Sequence, residues 1–274
     1  MSGTDAPGLA TVRNRVGHLT LGDEAGSLAT LSLHLAEWER DPKVLAVVLR
    51  IAALDDAWPH TGSQAEHAQA LALHIGAYAK PVLALLDGTV LAPALCLLSG
   101  AALRTVSERT TLRMSHQRES QALQPACDPL LSRMPGALRS YLSLTARSLR
   151  PADALYAGLA DYCLPSEMIA EFDRCLDGMN WNTHPREALR TLLATLATPR
   201  MPGAELKALR LAIDEHFATD SLEAIRASLA NESRPAYLDW ADETISLLDS
   251  HETAATPLQH ARVAGGLREA IDRR

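Results

Sequence analysis

One stretch of the chain, residues 79–104, constrains the fold more than any other. It reads AKPVLALLDGTVLAPALCLLSGAALR. An apolar run from Pro81 to Leu86 is broken by the turn dipeptide Asp87-Gly88 and resumes as a segment rich in alanine, leucine and small residues. This pattern is typical of a buried strand that leads into a helix packed closely on a sheet. We therefore expect residues 79–104 to lie at the centre of an α/β fold.

The segments before this stretch show the same alternation of strand and helix. Residues 12–21 predict a strand or hairpin, and apolar side chains recur at helical spacing in residues 28–40. Val44 to Ile51 is a β-type apolar run, and residues 64–78 again predict a helix. Strands and helices that follow one another in this rhythm predict a parallel sheet covered by helices.

The second half of the chain has a different pattern. The sequence predicts a helix over residues 128–149 that is broken at Pro135-Gly136, and almost only helices after residue 167. We place a boundary near residues 178–184. This gives an α/β core over residues 1–178 and a helical C-terminal region over residues 179–274.

Composition and charge exclude several classes of protein. The formal net charge is −7, and lysine and arginine are spread along the sequence, so we expect no nucleic-acid partner. No signal-peptide core or membrane-spanning apolar run is present, which predicts a cytoplasmic protein without a membrane partner. The cysteines have no CxxC spacing, which favours buried reduced thiols over a metal site or disulfides: Cys96, Cys127, Cys163 and Cys175.

Several fragments together resemble the enoyl-CoA hydratase/isomerase (crotonase) superfamily, and they are most similar to its 3-hydroxyisobutyryl-CoA hydrolase branch. They run in family order: EWERDPKVLAVVLR (37–50), KPVLALLDGTV (80–90), SERTTLRM (107–114), LLSRMPGALRSYLSLTA (130–146), RPADALYAGLADYCLPSE (150–167) and IDEHFATDSLEAIRASL (213–229). The resemblance implies the ClpP/crotonase-like fold, an α/β spiral of β-β-α units with a helical C-terminal region. It also implies that this region is shorter here than in the hydrolase branch.

The resemblance further implies an oxyanion hole, in which two backbone N–H groups bind the carbonyl oxygen of an acyl thioester. The position of the first donor corresponds to Gly62, although a glycine there can equally serve a loop that needs positive φ. The triplet that supplies the second donor corresponds to Ala92, Pro93 and Ala94. Proline has no backbone N–H, so Pro93 predicts that the second donor is lost.

The acidic residues of the family site are also replaced. Their positions correspond to His116 and Gln124, and glutamine cannot act as an acid or base. His116 can act as a base near neutral pH, and Glu119 or Asp128 can substitute for a lost carboxylate. Each of these three side chains can also simply be a solvated loop residue.

The resemblance also implies a loop that helps to bind coenzyme A, and we expect this binding to be weakened here. The family's loop after the first strand is replaced here by an acidic segment with Asp23 and Glu24, which repel a phosphate-rich ligand. His67 and His74, one heptad apart in the helix predicted over residues 64–78, can ligate a metal but fit a solvated face better. We expect that no cofactor is required, and that a coenzyme A thioester can be a substrate or ligand.

Three hypotheses follow. The first is a crotonase-fold pseudoenzyme that acts as a binding or assembly partner. The second is a diverged hydrolase or hydratase/isomerase acting on an acyl thioester of coenzyme A or of a carrier protein, through the Gly62 N–H with His116 or Glu119. The third is an enzyme of unrelated chemistry, which predicts a polar cavity elsewhere on the scaffold. A homo-oligomer or a complex with another protein is compatible with each of them.

Overall fold

The computed structural model describes residues 10–21, 27–51, 63–91, 94, 97, 99–113, 128, 130–198, 201–219 and 221–253. Within them the strands are β1 (Ala10–Arg13), β2 (Val16–Leu21), β3 (Ala46–Ile51), β4 (Val82–Leu86), β5 (Thr89–Leu91), β6 (Leu103–Val106), β7 (Thr111–Arg113) and β8 (Tyr162–Cys163). The helices are α1 (Ser27–Arg40), α2 (Ser63–Ala77), α3 (Leu138–Thr145), α4 (Pro151–Tyr156), α5 (Ile169–Asp177), α6 (Pro185–Leu196), α7 (Glu205–Ala208), α8 (Arg210–His216), α9 (Leu222–Ala230) and α10 (Leu238–Thr253). A 3₁₀ turn, Ser166–Met168, precedes α5.

Six of these strands form the main sheet, in the order β1-β2-β3-β4-β6-β8. β1 and β2 pair antiparallel, and every other neighbouring pair is parallel, which confirms the parallel sheet predicted from the sequence. All five residues of β4 are buried, as expected for a parallel strand that is covered on both faces. Asn14 and Arg15 join β1 to β2 with φ values of 40° and 68°, the positive values that a tight hairpin requires.

A second sheet begins where β4 ends. β5 and β7 pair in parallel, with Thr89 opposite Thr111 and Leu91 opposite Arg113. After the Asp87-Gly88 turn, the chain therefore leaves the main sheet and starts a new one. Leu112 of β7 also exchanges two backbone hydrogen bonds with Leu149, at 2.9 and 2.8 Å.

One face of the main sheet packs on α5 and α6. Strand residues such as Val48 and Leu83 share an apolar cluster with Phe172 of α5 and with Leu189 and Leu193 of α6, all fully buried. Because α6 completes this core, its residues belong with the sheet, whereas the sequence analysis assigned residues 179–274 to the helical region. On the opposite face, Trp38 covers Gly17 so closely that a Cβ there would lie 2.2 Å from its ring.

The described residues form two compact units. The first contains the two sheets and extends to Met134 and from Ser148 to Lys207; the second contains Pro135–Arg147 and the residues from Ala208 onward. The second unit has an aromatic centre in which the ring of Tyr141 lies 5.1 Å from that of Phe217. The predicted break at Pro135-Gly136 is confirmed, since Gly136 has a φ of 53° and α3 begins only at Leu138.

Candidate functional site

The first candidate site lies at the carboxyl ends of β3 and β4, which are adjacent and parallel. In the sequence, β3 is followed by the segment that carries Gly62, and β4 is followed by the Asp87-Gly88 turn. The Asp87-Gly88 turn is held here by backbone hydrogen bonds from the Asp87 N–H to the Ile51 carbonyl and from the Thr111 N–H to the Gly88 carbonyl, both at 3.0 Å. Gly88 has a φ of 94°, which explains the glycine, because side chains strongly disfavour that conformation.

Asp87 is the carboxylate that the structure places at this turn, and its oxygens are occupied. Ser107 Oγ donates to Oδ1 at 2.6 Å, Arg109 Nε donates to Oδ1 at 3.1 Å, and Arg109 Nη2 donates to Oδ2. Burial opposes ionisation of Asp87, but the hydrogen bonds from Arg109 and Ser107 outweigh it and lower the pKa of the carboxyl group. Asp87 is therefore a structural anion that ties β4 to the segment after β6.

The next carboxylate along the chain, Glu108, is also engaged. Its oxygens accept hydrogen bonds from the backbone N–H of Ser166, at 2.7 Å, and from the Ser166 hydroxyl. Burial again opposes ionisation, and the hydrogen bonds from Ser166 lower the pKa of Glu108. Glu108 thus anchors the 3₁₀ turn at Ser166–Met168 and is not positioned by the structure as a free acid or base.

The site residues predicted from the sequence lie outside the described residues: Gly62, Pro93, His116, Glu119 and Gln124. Their roles stay predictions. Asp128 is described and exposed, and Ala94, the last residue of the triplet, is fully buried. Neither metal nor membrane chemistry is indicated in the described part of the chain. It holds no group of three histidine, cysteine or acidic side chains suited to a metal ion, and no helix long and apolar enough to cross a membrane.

The described histidines on α2 and β2 are either paired with a neighbouring side chain, exposed or buried. His74 Nε2 lies 3.2 Å from a carboxylate oxygen of Glu39, which links α2 to α1, and His67 is exposed. His18 on β2 is buried, and neither of its ring nitrogens has a hydrogen-bond partner. Burial, assisted by the nearby Arg13 and Arg50, lowers the pKa of His18 to about 4, so this side chain is neutral at physiological pH.

A second candidate site lies at the opposite edge of the main sheet, where β4, β6 and β8 begin. It is a groove of about 960 Å³, called here the amino-end groove. Its walls come from the end of α2, residues 99–102 and the first turns of α6. Five cationic side chains and one carboxylate line it: Lys80, Arg104, Arg133, Arg186, Arg190 and Asp161. The groove therefore carries an excess of positive charge in a chain whose net charge is −7.

The carboxylate of the groove is committed to one of these cations. Asp161 accepts the backbone N–H of Arg104 at 2.7 Å and its Nη2 at 3.3 Å. The Arg104 side chain is only 5% exposed, and its Nε and Nη1 have no hydrogen-bond partner within the described part of the chain. One carboxylate therefore compensates a buried guanidinium only in part.

Sequence reasoning did not find the amino-end groove. The one local signal is the sequence HPREALR at residues 184–190, because Arg186 and Arg190 lie four positions apart and share a face of α6. Arg104 and Arg133 are separated from this segment by more than fifty residues. Only the fold brings them to one place.

Known proteins share this architecture. The structure of a carnitinyl-CoA dehydratase from Mycobacterium thermoresistibile superposes with a TM-score of 0.75 and 26% identity, covering 96% of this chain and 79% of that one. Among curated proteins, small ribosomal subunit protein mS47 of Neurospora crassa is 27% identical over 186 residues, which is 64% of this chain and 37% of the relative. The 3-hydroxyisobutyryl-CoA hydrolase 1 of Arabidopsis thaliana is 24% identical over 192 residues, covering 70% of this chain and 50% of the relative.

This chain thus spans half or less of the length of these curated relatives. The family model described as enoyl-CoA hydratase/isomerase matches residues 26–270, which is most of the sequence and includes every described strand except β1 and β2. The fold class predicted from the sequence is confirmed by these matches. The chain belongs to the enoyl-CoA hydratase/isomerase family, with similarity to its 3-hydroxyisobutyryl-CoA hydrolases.

Proposed function

We propose that this protein is a pseudoenzyme of the enoyl-CoA hydratase/isomerase family that acts as a binding or assembly partner. One observation carries the proposal: the chemical groups that the family uses are replaced together. Pro93 removes a backbone donor, Gln124 removes a carboxylate, and His116 replaces another. Loss of one oxyanion donor alone costs roughly 10²–10³ in rate, and the changes to the acidic residues act on a separate step.

The described residues near this site support the proposal. Asp87 and Glu108 are described carboxylates that follow the carboxyl ends of β4 and β6, and both are held by hydrogen bonds from serine or arginine. A carboxylate with lowered pKa and occupied oxygens is a poor general base. Neither of them is arranged to replace the acidic groups lost from the family pattern.

The relatives offer further support. Proteins similar to this chain in Neurospora crassa and Arabidopsis thaliana are named small ribosomal subunit protein mS47, so members of this family occur as components of an assembly. The matches cover 37% and 46% of the length of those proteins. Their names therefore do not identify the partner of the present chain.

A second function is favoured by the hydrolase relatives. In this alternative, the chain is a diverged enzyme for an acyl thioester of coenzyme A or of a carrier protein, with Gly62 as the remaining donor and His116 or Glu119 as the base. The third hypothesis, an enzyme of unrelated chemistry, predicts a polar cavity away from the family's thioester site, and the amino-end groove lies at such a place. The charged side chains in its lining are mainly cations, which suits binding better than proton transfer.

Two measurements separate the first two functions. Coenzyme A and short acyl-CoAs are added in a thermal-shift assay, and thioester hydrolysis and hydration are followed with the same compounds. A pseudoenzyme without a thioester ligand gives no rise in melting temperature at saturating concentrations and no turnover, since only a ligand of the folded state stabilises it.

The variant His116→Ala gives the decisive contrast, with His67→Ala, an exposed histidine of α2, as the matched control. Turnover that disappears in His116→Ala and persists in His67→Ala contradicts the pseudoenzyme proposal and supports the diverged enzyme.

A further inference from the structure

The amino-end groove contains cations that the protein itself does not neutralise. Arg133 and Arg186 are exposed, and their guanidinium groups have no carboxylate or hydrogen-bond partner among the described residues. Arg190 is 3.9 Å from Glu187, but both side chains are at least half exposed, and such pairs contribute little in water. At least three guanidinium groups in this groove are therefore available to an incoming anion.

The base of the groove adds positive charge that solvent screens poorly. Arg104 is buried and shares the single carboxylate of Asp161. Lys80 is half-buried, donates through its ammonium group to the backbone carbonyls of Trp38 and Asp41, and lies near the carboxylates of Asp41 and Glu39. Since buried charges are screened less than exposed ones, Arg104 contributes more than Lys80 to the potential inside the groove.

Helix α6 points its amino end at the same groove. His184 precedes the helix without a side-chain cap, Pro185 occupies its first turn, and Arg186 follows. Pro185 has no backbone N–H, and those of Glu187 and Ala188 bond to the His184 carbonyl, so the helix favours an anion here mainly through its dipole. This effect has the same sign as the arginine charges and acts at the same wall of the groove.

The side chains between the cations indicate which anion fits. Arginine forks match phosphate oxygens in two-point hydrogen bonds. Tyr78 and Tyr162 are half-buried and also line the groove, so that part of each ring is accessible, while the Tyr78 hydroxyl donates to the Leu35 carbonyl and Tyr162 packs against the apolar cluster of the main sheet. A basic groove with aromatic rings is the arrangement by which proteins hold single-stranded nucleic acid, because unpaired bases stack on the rings while cations follow the backbone. An acidic peptide would satisfy the arginines but would make no use of the rings.

We propose that the amino-end groove binds single-stranded nucleic acid, with Arg133, Arg186 and Arg190 on its phosphates. The spread of basic residues along the sequence gave the opposite expectation, because the net charge of −7 is a property of the whole chain. The fold concentrates the cations locally. The site is separate from the family's thioester site, so the inference holds whether or not catalysis persists.

The test is fluorescence anisotropy with labelled oligouridylate and oligothymidylate of about 15 nucleotides, long enough for a groove of this kind. Three phosphate contacts on a single strand give a slope of about −2 in a plot of log affinity against log salt, which corresponds to roughly 16-fold weaker binding at 200 mM than at 50 mM salt. Comparison of the two oligonucleotides shows whether RNA, DNA or both are accepted.

The double variant Arg186→Ala/Arg190→Ala should weaken binding at least tenfold and reduce the slope to about −0.7. The matched control, Arg40→Ala/Arg174→Ala, removes the same charge from exposed positions outside the groove and should bind like the unaltered protein. Melting curves confirm that each variant is folded.

Three results overturn the proposal. The first is the absence of binding at about 100 μM protein in low salt, where even weak non-specific complexes form. The second is an equal loss of affinity in the groove variant and in its control. The third is displacement of the oligonucleotide by poly-glutamate as effectively as by unlabelled oligonucleotide. The last result assigns the groove to acidic protein segments. Thioester assays are unaffected by any of these outcomes.

Discussion

The two ends of the parallel strands in the main sheet differ in how their charges are balanced. At the carboxyl end of β4, Asp87 receives hydrogen bonds from Ser107 and Arg109, and anion and cation are matched. At the amino end, five cationic side chains line the groove, and its one lining carboxylate, Asp161, is bonded to Arg104. Both ends belong to the same sheet and lie about one strand length apart, roughly 15 Å.

This difference in charge balance indicates which end of the strands can bind a charged ligand. At the carboxyl end, the described carboxylates Asp87 and Glu108 already accept hydrogen bonds, so they gain little from a charged ligand. The amino end retains uncompensated charge, which an external anion can neutralise. Substitutions at the two ends should therefore have different consequences for stability and for binding.

The largest effect is expected from Gly100→Ala, in the wall of the amino-end groove. A Cβ on Gly100 would lie 2.2 Å from the Gly76 Cα, so backbone would have to move. We expect a loss of about 3 kcal/mol in the free energy of unfolding, at the upper end of overpacking costs, measured by urea denaturation. Gly203→Ala, where no atom lies within 4 Å, is the control and should change little. Equal stability of the two variants would contradict the close contact.

Asp161→Ala should have the next largest effect. It leaves the buried Arg104 guanidinium without its counter-ion, and we expect a loss of about 2–3 kcal/mol in the free energy of unfolding, also by urea denaturation. The double variant Arg104→Met/Asp161→Ala removes the charge as well and should recover most of the stability. If the double variant is as unstable as the single one, the ion pair is not the cause.

Asp87→Asn tests the balanced end of the sheet. We expect a loss of about 1–2 kcal/mol at neutral pH, because hydrogen bonds to a charged acceptor become neutral ones. The pKa of Asp87 is lower in the folded protein than its ordinary value of 3.8. The stabilisation is therefore complete above that value and disappears as the pH falls through the folded pKa.

This pH dependence is checked by denaturant unfolding between neutral and acidic pH. The difference between the unaltered protein and Asp87→Asn should shrink below pH 3.8. If the difference in the free energy of unfolding stays constant over this pH range, the carboxylate charge does not contribute to stability. The variant Arg109→Ala is the matched test, because it removes the cation that pairs with Asp87.

The smallest effect on stability is expected from Arg186→Ala/Arg190→Ala. Both side chains are exposed and lack strong partners, so the free energy of unfolding should change by less than about 0.5 kcal/mol. The same variant should lose nucleic-acid binding, which would sharpen the contrast between the two ends. A large loss of stability would instead mean that these arginines serve the fold.

Much of the fold could be predicted from the sequence, because its signals are local. The apolar run of β4, the Asp87-Gly88 turn and the break at Pro135-Gly136 each depend on neighbouring residues. The fragments shared with the family added the order of the elements. The assignment of α6 was harder, since its apolar face packs on residues more than eighty positions away.

The sites could be predicted less well. Asp87 could be assigned to a turn, but its partner Arg109 is 22 residues further along the chain. Lys80, Arg104, Arg133 and Arg186 look like scattered surface charges in the sequence. Lys80 and Arg104 converge because β4 and β6 are parallel neighbours whose amino ends meet at one edge, and Arg133 and Arg186 line the groove at that edge from other elements. Such convergence depends on strand order, which no local pattern encodes.

The contact between α2 and the segment before β6 has a consequence for how this protein can change over time. A methyl group on Gly76 would lie 3.7 Å from the Gly100 Cα, an ordinary contact, whereas one on Gly100 would collide with the backbone of α2. Alanine is also favoured over glycine within a helix. Alanine can therefore replace Gly76 without a steric clash, whereas Gly100 cannot be replaced by alanine unless backbone moves. Of the two glycines, Gly100 alone is required to keep the width of the groove.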